Sequence, residues 1–278
     1  MLLFDSHAHY YDARFDDANE GESADALLHR MLRTFGGDIG GIVNVATNNQ
    51  NAHDVLAQAS RYPGMYAALG IHPEDCQEYS DPEEQLRALC ALLGCNAPDP
   101  VSYRRDNKIV AIGEIGLDYY EYHLKDKETQ AWYLEKQLCL AQELDLPVII
   151  HDRDAHGDCF EAVLRHPGLR GVFHSYSGSR EMAQELVRRG FMISFSGVVT
   201  FRNAHRVQEI AASVPPASLL VETDCPYLAP HPCRGRRNDS SLMHYTVEML
   251  AQLHDMSAEQ MAQITFDNAC HLFDIRHN

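Results

Sequence analysis

Val148-Ile149-Ile150-His151 is a short apolar run that ends abruptly on a histidine. Unbroken β-branched residues suit a strand buried on both faces, as in a parallel sheet covered by helices. Seven more runs of this kind lie on either side of it: Leu2–Asp5, Gly41–Val45, Tyr66–Gly70, Ile109–Glu114, Gly171–His174, Phe191–Ser194 and Leu219–Glu222. Their starts are about 31 residues apart on average, the length of one strand–helix repeat in a barrel of ~250 residues. Segments of helical period fall between them. Ser23–Phe35 carries Leu27, Leu28, Met31, Leu32 and Phe35 on one face, and Thr129–Leu144, Glu181–Arg189 and Ala204–Val214 repeat the pattern. Ser23 and Asp154 read as N-caps, and Gly190 as a helix stop. Further helices are expected near 82–93, 240–254 and 258–272. The expected fold is α/β, a (β/α)8 TIM barrel forming a single domain over residues 1–278. The polar, turn-rich stretch 94–107 reads as a surface insertion, and the Pro-rich stretch 225–240 as a long functional loop.

Composition narrows the function. The 278 residues are 45% hydrophobic and carry a formal charge of −17, which argues against coating nucleic acid or anionic membrane by bulk attraction. No window approaches 18 uninterrupted apolar residues, so no membrane span is expected. The start, Met1-Leu2-Leu3-Phe4-Asp5, reads as a strand rather than a signal peptide, and a cytoplasmic location follows as the expectation. The eight cysteines contain no Cys-x-x-Cys pair and are expected to be reduced. No obligate protein partner is evident.

The chemistry sits at the strand ends. Asp5-Ser6-His7-Ala8-His9 places two histidines on one side of an extended segment. Other runs close on Glu114, His151 and His174, and the eighth on Glu222 and Asp224. Catalytic groups of such barrels stand at the C-terminal ends of strands, above packed layers. Four imidazoles with several carboxylates suit divalent metals, here zinc, magnesium or manganese. The set exceeds the needs of one ion, and two ions bridged by a carboxylate account for the surplus.

Taken in order, several motifs resemble the TatD family of metal-dependent hydrolases, part of the amidohydrolase superfamily of (β/α)8 barrels. They are His7-Ala8-His9, the run Gly113-Glu114-Ile115-Gly116-Leu117-Asp118-Tyr119, then Pro147 to Ala155, His174-Ser175-Tyr176-Ser177-Gly178, and Glu222 to Pro230. Gly70-Ile71-His72-Pro73, the Arg234-Gly235-Arg236-Arg237-Asn238 loop and Asn268-Ala269 extend the likeness over nearly the whole chain. The resemblance implies His7, His9, Glu114, His151, His174 and Asp224 as metal ligands, with Glu114 as the bridge. It also implies phosphodiester hydrolysis, commonly by a deoxyribonuclease removing nucleotides from a 3′ end, so that the partner is DNA with single-stranded ends. Asp239-Ser240-Ser241 departs from the Glu-Pro that usually follows the loop asparagine, which puts the loop's geometry in question.

Roles follow from placement. Asp224 is the candidate general base, and Glu114 acts with it in catalysis. Glu222 is expected to support a ligand, and Asp5 to orient an imidazole. His72 is either a phosphate contact or a hydrogen-bonded wall residue. Arg153 pairs either with a substrate phosphate or with Asp118. Arg234 and Arg236, with Arg237, are substrate-phosphate candidates set against a solvated surface run. Tyr119, Tyr120 and Tyr122 either stack on bases or pack. His29, His53, His166, His205, His244, His254 and His277 carry no such signal. Two alternatives stand beside the nuclease: hydrolysis of a small ester, amide or phosphoester at the same metals, and a catalytically silent metal-binding barrel.

Overall fold

The computed structural model describes residues 1–16 and 21–276, so His277 lies outside the described residues. Eight strands pair in chain order, every pair parallel. They are β1 (Leu3–Ala8), β2 (Ile39–Val45), β3 (Met65–Leu69), β4 (Ile109–Asp118), β5 (Val148–Arg153), β6 (Gly171–Phe173), β7 (Met192–Phe195) and β8 (Leu219–Val221). The ring is completed where β1 meets the chain beyond β8. There the His9 N–H donates to the Cys225 carbonyl at 2.8 Å, and the Asp224 N–H to the His7 carbonyl at 2.9 Å. The fold is the expected eight-stranded α/β barrel.

Asp5 seals that seam. Its buried carboxylate accepts from the Thr223 N–H at 2.9 Å, from the Thr223 hydroxyl at 2.6 Å and from the Ser240 hydroxyl at 2.6 Å. Burial nevertheless pushes the Asp5 carboxyl up to about 6. The expectation that Asp5 orients an imidazole does not hold. Its contact with His7 is to the backbone N–H, at 3.3 Å. Ser240, at the position where the loop departs from the family pattern, is fully buried and also bonds the Tyr10 hydroxyl at 2.7 Å. The departure is thus absorbed into the seam.

The helical layer consists of α1 (Ala24–Met31), α2 (Asn49–Arg61), α3 (Pro82–Leu92), α4 (Pro100–Asp106), α5 (Lys127–Leu144), α6 (His156–Leu164), α7 (Arg180–Arg188), α8 (His205–Ser213), α9 (Met243–Leu253) and α10 (Ala258–Leu272). Ser23 caps α1, its hydroxyl accepting from the Ala26 N–H, and Gly190 ends α7 with φ of 89°. Asp154 is not a cap: α6 begins at His156, and Ala155 holds the N-cap position without a side-chain bond. The 94–107 stretch is not simply turn-rich either. Asp99 caps α4 and Pro100 opens it, a cap-then-proline signal visible in the sequence.

Inside the ring, Phe4, Ala68, Ala111, Ile149, Val172 and Leu220 form one buried cluster with Phe266 of α10 and with Phe273. Residues two further along the same strand face point the same way, so Ile149 carries His151 above it, and Val172 carries His174. Two bulges adjust the rest. β4 pairs β5 as Ile112↔Val148 and then Ile115↔Ile150, three residues against two, with the extra residue next to Glu114. β1 pairs β2 as Asp5↔Ile42 and then Ala8↔Asn44, the same irregularity beside His7. Such insertions re-aim side chains, and they recur next to active sites.

β4 and β5 approach so closely that Gly116, at φ of 153°, has no room for a Cβ: one placed there would collide with the His151 carbonyl. Gly116→Ala is expected to destabilise the barrel by about 3 kcal/mol through strain at that crossing. Urea unfolding measures it, and an unchanged midpoint would show that the strands can part without cost.

Candidate active site

Glu114 is the centre of the barrel mouth, and it is 4% exposed. Its two oxygens face different groups. Oε1 lies 2.8 Å from His151 Nδ1, 2.8 Å from His174 Nε2 and 3.5 Å from His72 Nε2. Oε2 lies 3.2 Å from His7 Nε2 and 3.6 Å from His9 Nε2. Asp224 completes the second group, with Oδ1 3.4 Å from His9 Nε2 and 3.8 Å from His7 Nε2. The Nε2 atoms of His7 and His9 are 3.0 Å apart. All six residues named as ligand candidates therefore converge on one point, four of them histidines from three different strand ends.

The second nitrogen of most of these rings is held from behind. His9 Nδ1–H donates to the Val45 carbonyl at 2.8 Å, so its Nε2 presents a lone pair to the site. His151 Nε2–H donates to Asp118 Oδ2 at 3.0 Å, which leaves Nδ1 facing Glu114. His174 Nδ1 stands 3.4 Å from Glu222 Oε1, and the same oxygen accepts from the Ser175 N–H at 2.7 Å. Glu222 thus stands behind His174 on the side away from Glu114. Lone pairs of imidazoles aimed at carboxylate oxygens repel each other unless a proton or a cation lies between them. In the protein without metal that role falls to protons. Burial alone would push Glu114 up, but the charges of His174, His7 and His72 and the hydrogen bond from His151 hold it well below the usual carboxylate range. Burial opposes charge on His151 too, yet bonds to Asp118 and Glu114 raise it to about 9. A donor set of imidazole nitrogens and carboxylate oxygens without thiolate fits divalent ions of the zinc, manganese or magnesium kind. His7, His9 and Asp224 would form one pocket and His151 and His174 the other, with Glu114 common to both.

Asp118 is the residue that sequence reading undervalued. Burial would raise its carboxyl, but its bond to His151 brings it down to about 2. The signal was available: Asp118 is four residues beyond Glu114 on one strand, and alternate residues share a face. His72 is buried beside Glu114, and its Nδ1 accepts from the Glu74 N–H at 3.2 Å.

The cationic candidates divide. Arg153 is exposed and does not pair with Asp118. Its guanidinium lies 4.1 Å over the Tyr120 ring, at the edge of a cavity of about 360 Å³ that also borders His151, His174 and Asp224. Arg234 packs 4.2 Å over the Phe201 ring. Arg237 is structural: it donates to the Arg14 carbonyl at 2.8 Å and the Glu22 carbonyl at 2.6 Å. Arg236 lines a different surface hollow, with Gly21, Glu22 and Asp239. The structure does not bring Arg236 or Arg237 to the cavity at the metal candidates. Tyr119 donates to Asp158 at 2.8 Å, whereas Tyr122 is 77% exposed.

A parallel barrel with this cluster at the C-terminal strand ends has the architecture of a metal-dependent hydrolase. The chain matches the family described as TatD related DNase over residues 4–274, and it belongs to that family. It is 36% identical over 277 residues to the uncharacterized metal-dependent hydrolase YabD of Bacillus subtilis, covering 99% of this chain and 100% of that one. It is 35% identical to the uncharacterized metal-dependent hydrolase YcfH of Escherichia coli, over 99% and 97% of the two chains. The crystal structure of YjjV, a TatD homologue from Escherichia coli, superposes with a TM-score of 0.83 at 33% identity, covering 99% of this chain and 98% of that one. Among the described residues no helix is long and apolar enough to cross a membrane.

Asp118→Ala is expected to weaken metal binding roughly tenfold to a hundredfold while every ligand stays in place, because His151 loses the partner that fixes its tautomer. Competition against a chromophoric chelator measures this. Unchanged affinity would reduce Asp118 to a packing role.

Proposed function

We propose that the protein is a cytoplasmic deoxyribonuclease that removes nucleotides from the 3′ end of single-stranded DNA with two divalent metal ions. The observation that carries the reading is the placement of Glu114, whose two oxygens address two separate imidazole groups. One ion would leave half of that donor set without purpose. His7, His9 and Asp224 are assigned to one ion, His151 and His174 to the other, and Glu114 to both. Bound ions supply Lewis acidity and lower the pKa of water, which phosphodiester hydrolysis at neutral pH needs.

The chain's own groups do the rest. Burial would raise the Asp224 carboxyl, but the bond from His9 and the charges of His7 and His174 hold it down, so it stands ionised. Water adds to phosphorus, its proton passes to the Asp224 carboxylate, the bond from phosphorus to the leaving sugar oxygen breaks, and that oxygen takes the proton back from Asp224, leaving as a hydroxyl and restoring the carboxylate. His72 stands within reach of a phosphate oxygen on the Glu114 side. Arg153 is pre-oriented by Tyr120, leaving its in-plane N–H groups for a second phosphate contact. Arg234 is kept as an outer contact. With a net charge of −17, binding depends on these local groups, which favours a strand end over a long duplex footprint.

Elemental analysis of fully active protein should find close to two divalent ions per chain, falling to one or fewer in Glu114→Gln; full activity with a single ion would remove the bridged site. Asp224→Asn should lower kcat on a labelled oligonucleotide by ~10²–10⁴ with an unchanged circular dichroism spectrum. Retention of a tenth of the rate would remove its role as base. Arg153→Ala should raise KM and flatten the log–log salt dependence by about 0.7, the share of one phosphate on a single strand. An unchanged slope would assign Arg153 to the rim alone. If small esters turn over at equal metal loading while oligonucleotides do not, the nuclease reading is wrong.

A further inference from the structure

The cavity beside the metal candidates is lined by two unlike sets of residues. His151, Asp152, Arg153, His174 and Asp224 form one, which carries charge and the ligand candidates. Val198, Val199, Val207 and Leu228, with the Tyr227 ring, form the other, and they carry no charge. These walls are built rather than incidental. Gly197 lets the Leu228 carbonyl approach so closely that a Cβ there would collide with it. The Thr200 hydroxyl donates to the Gly197 carbonyl at 2.6 Å and accepts from the His231 N–H at 2.8 Å, tying the turn after β7 to the loop after β8. At about 360 Å³ the space is at the lower end of the ~300–1,000 Å³ typical of small-molecule sites. It holds one ring-bearing group, not a strand.

We infer that this cavity is a nucleobase subsite, which seats the base of the nucleotide whose phosphate lies at Glu114 and Asp224. The inference rests on the nuclease reading above and adds the group that positions the substrate. A base joined to a phosphate at the metal candidates shares one cavity with the valines, and a nucleobase has flat apolar faces for them. The polar edge of the base meets hydroxyls: Ser175 and Ser196 bond each other at 2.9 Å on the wall, and either can donate. A hydroxyl that can serve as donor or acceptor does not select one base edge over another. The subsite therefore requires a base without reading which one, as stacking sites do.

The test uses metal-loaded full-length protein and two single-stranded oligonucleotides, one with an ordinary terminal residue and one with an abasic terminal residue. The wild type should show a KM roughly tenfold to a hundredfold higher for the abasic end, the effect of one lost base contact. The four bases at the ordinary end should differ by less than about tenfold. Val207→Trp, which fills the cavity from α8, should raise KM for the ordinary substrate to the abasic level, closing the gap. Val198→Trp does the same from the turn after β7 and serves if the first variant does not fold, with melting temperature as the check. Cleavage of both substrates with equal KM, or a gap that survives both tryptophans, overturns the base subsite and leaves the nuclease reading standing. If no oligonucleotide is cleaved at any metal loading, the nuclease reading falls and the subsite falls with it.

Discussion

A single buried carboxylate, Glu114, with imidazoles closing on both of its oxygens, is the interaction around which this molecule is organised. Taking a carboxylate out of water costs several kcal/mol, and aiming imidazole nitrogens at it helps only if positive charge lies between them. Either protons or metal ions must therefore occupy the mouth of the barrel. Whatever binds there and not to the unfolded chain also stabilises the fold by mass action. Site and stability are one problem in this protein, because a buried carboxylate that is costly to the fold is also the centre of the site.

The scaffold solves that problem with fixed partners. The Val45 carbonyl behind His9 and Asp118 behind His151 each hold one ring nitrogen and so set which nitrogen faces Glu114, and Glu222 stands 3.4 Å behind His174 as a charge partner. The partners come from β2, β4 and the end of β8, so neighbouring strands position each other's ligands. Beneath them the seam at Asp5 joins the first strand to the chain after the last, which brings His7 and Asp224 together. Breaking the ring anywhere would separate ligands far apart in sequence, and a parallel barrel is suited to such a site because every strand delivers its end to the same rim.

Charge at the rim is used sparingly. The loop after Asp224 concentrates arginines, but Arg237 is consumed in bonding the Arg14 and Glu22 carbonyls, and Arg234 packs on Phe201. A cation that satisfies backbone carbonyls and one that waits for a phosphate are identical in sequence. Arg153 stands on Tyr120 beside a cavity whose lining mixes valines and aromatic rings with serine hydroxyls. The mouth thus carries few free cations in an acidic molecule.

The eight apolar runs and the polar residues that end them were legible in the sequence, because a strand buried on both faces cannot disguise its composition and has no packing reason to finish on histidine or glutamate. Glu114, His151 and His174 were legible for the same reason, whereas the choice of Asp224 over Glu222 as ligand came from the family resemblance. Strand parity also carried the pairing of His7 with His9. Three things were decided only by tertiary structure. The bulges at His7 and Glu114 depend on the register between strands, which no single strand encodes. The partner of His9 is a backbone carbonyl on another strand, and backbone groups have no signature in sequence. The fates of Asp5, Arg153 and Arg237 were set by which atoms lie within about 3 Å in the folded chain, since a short-range bond outweighs any preference that residue type alone expresses.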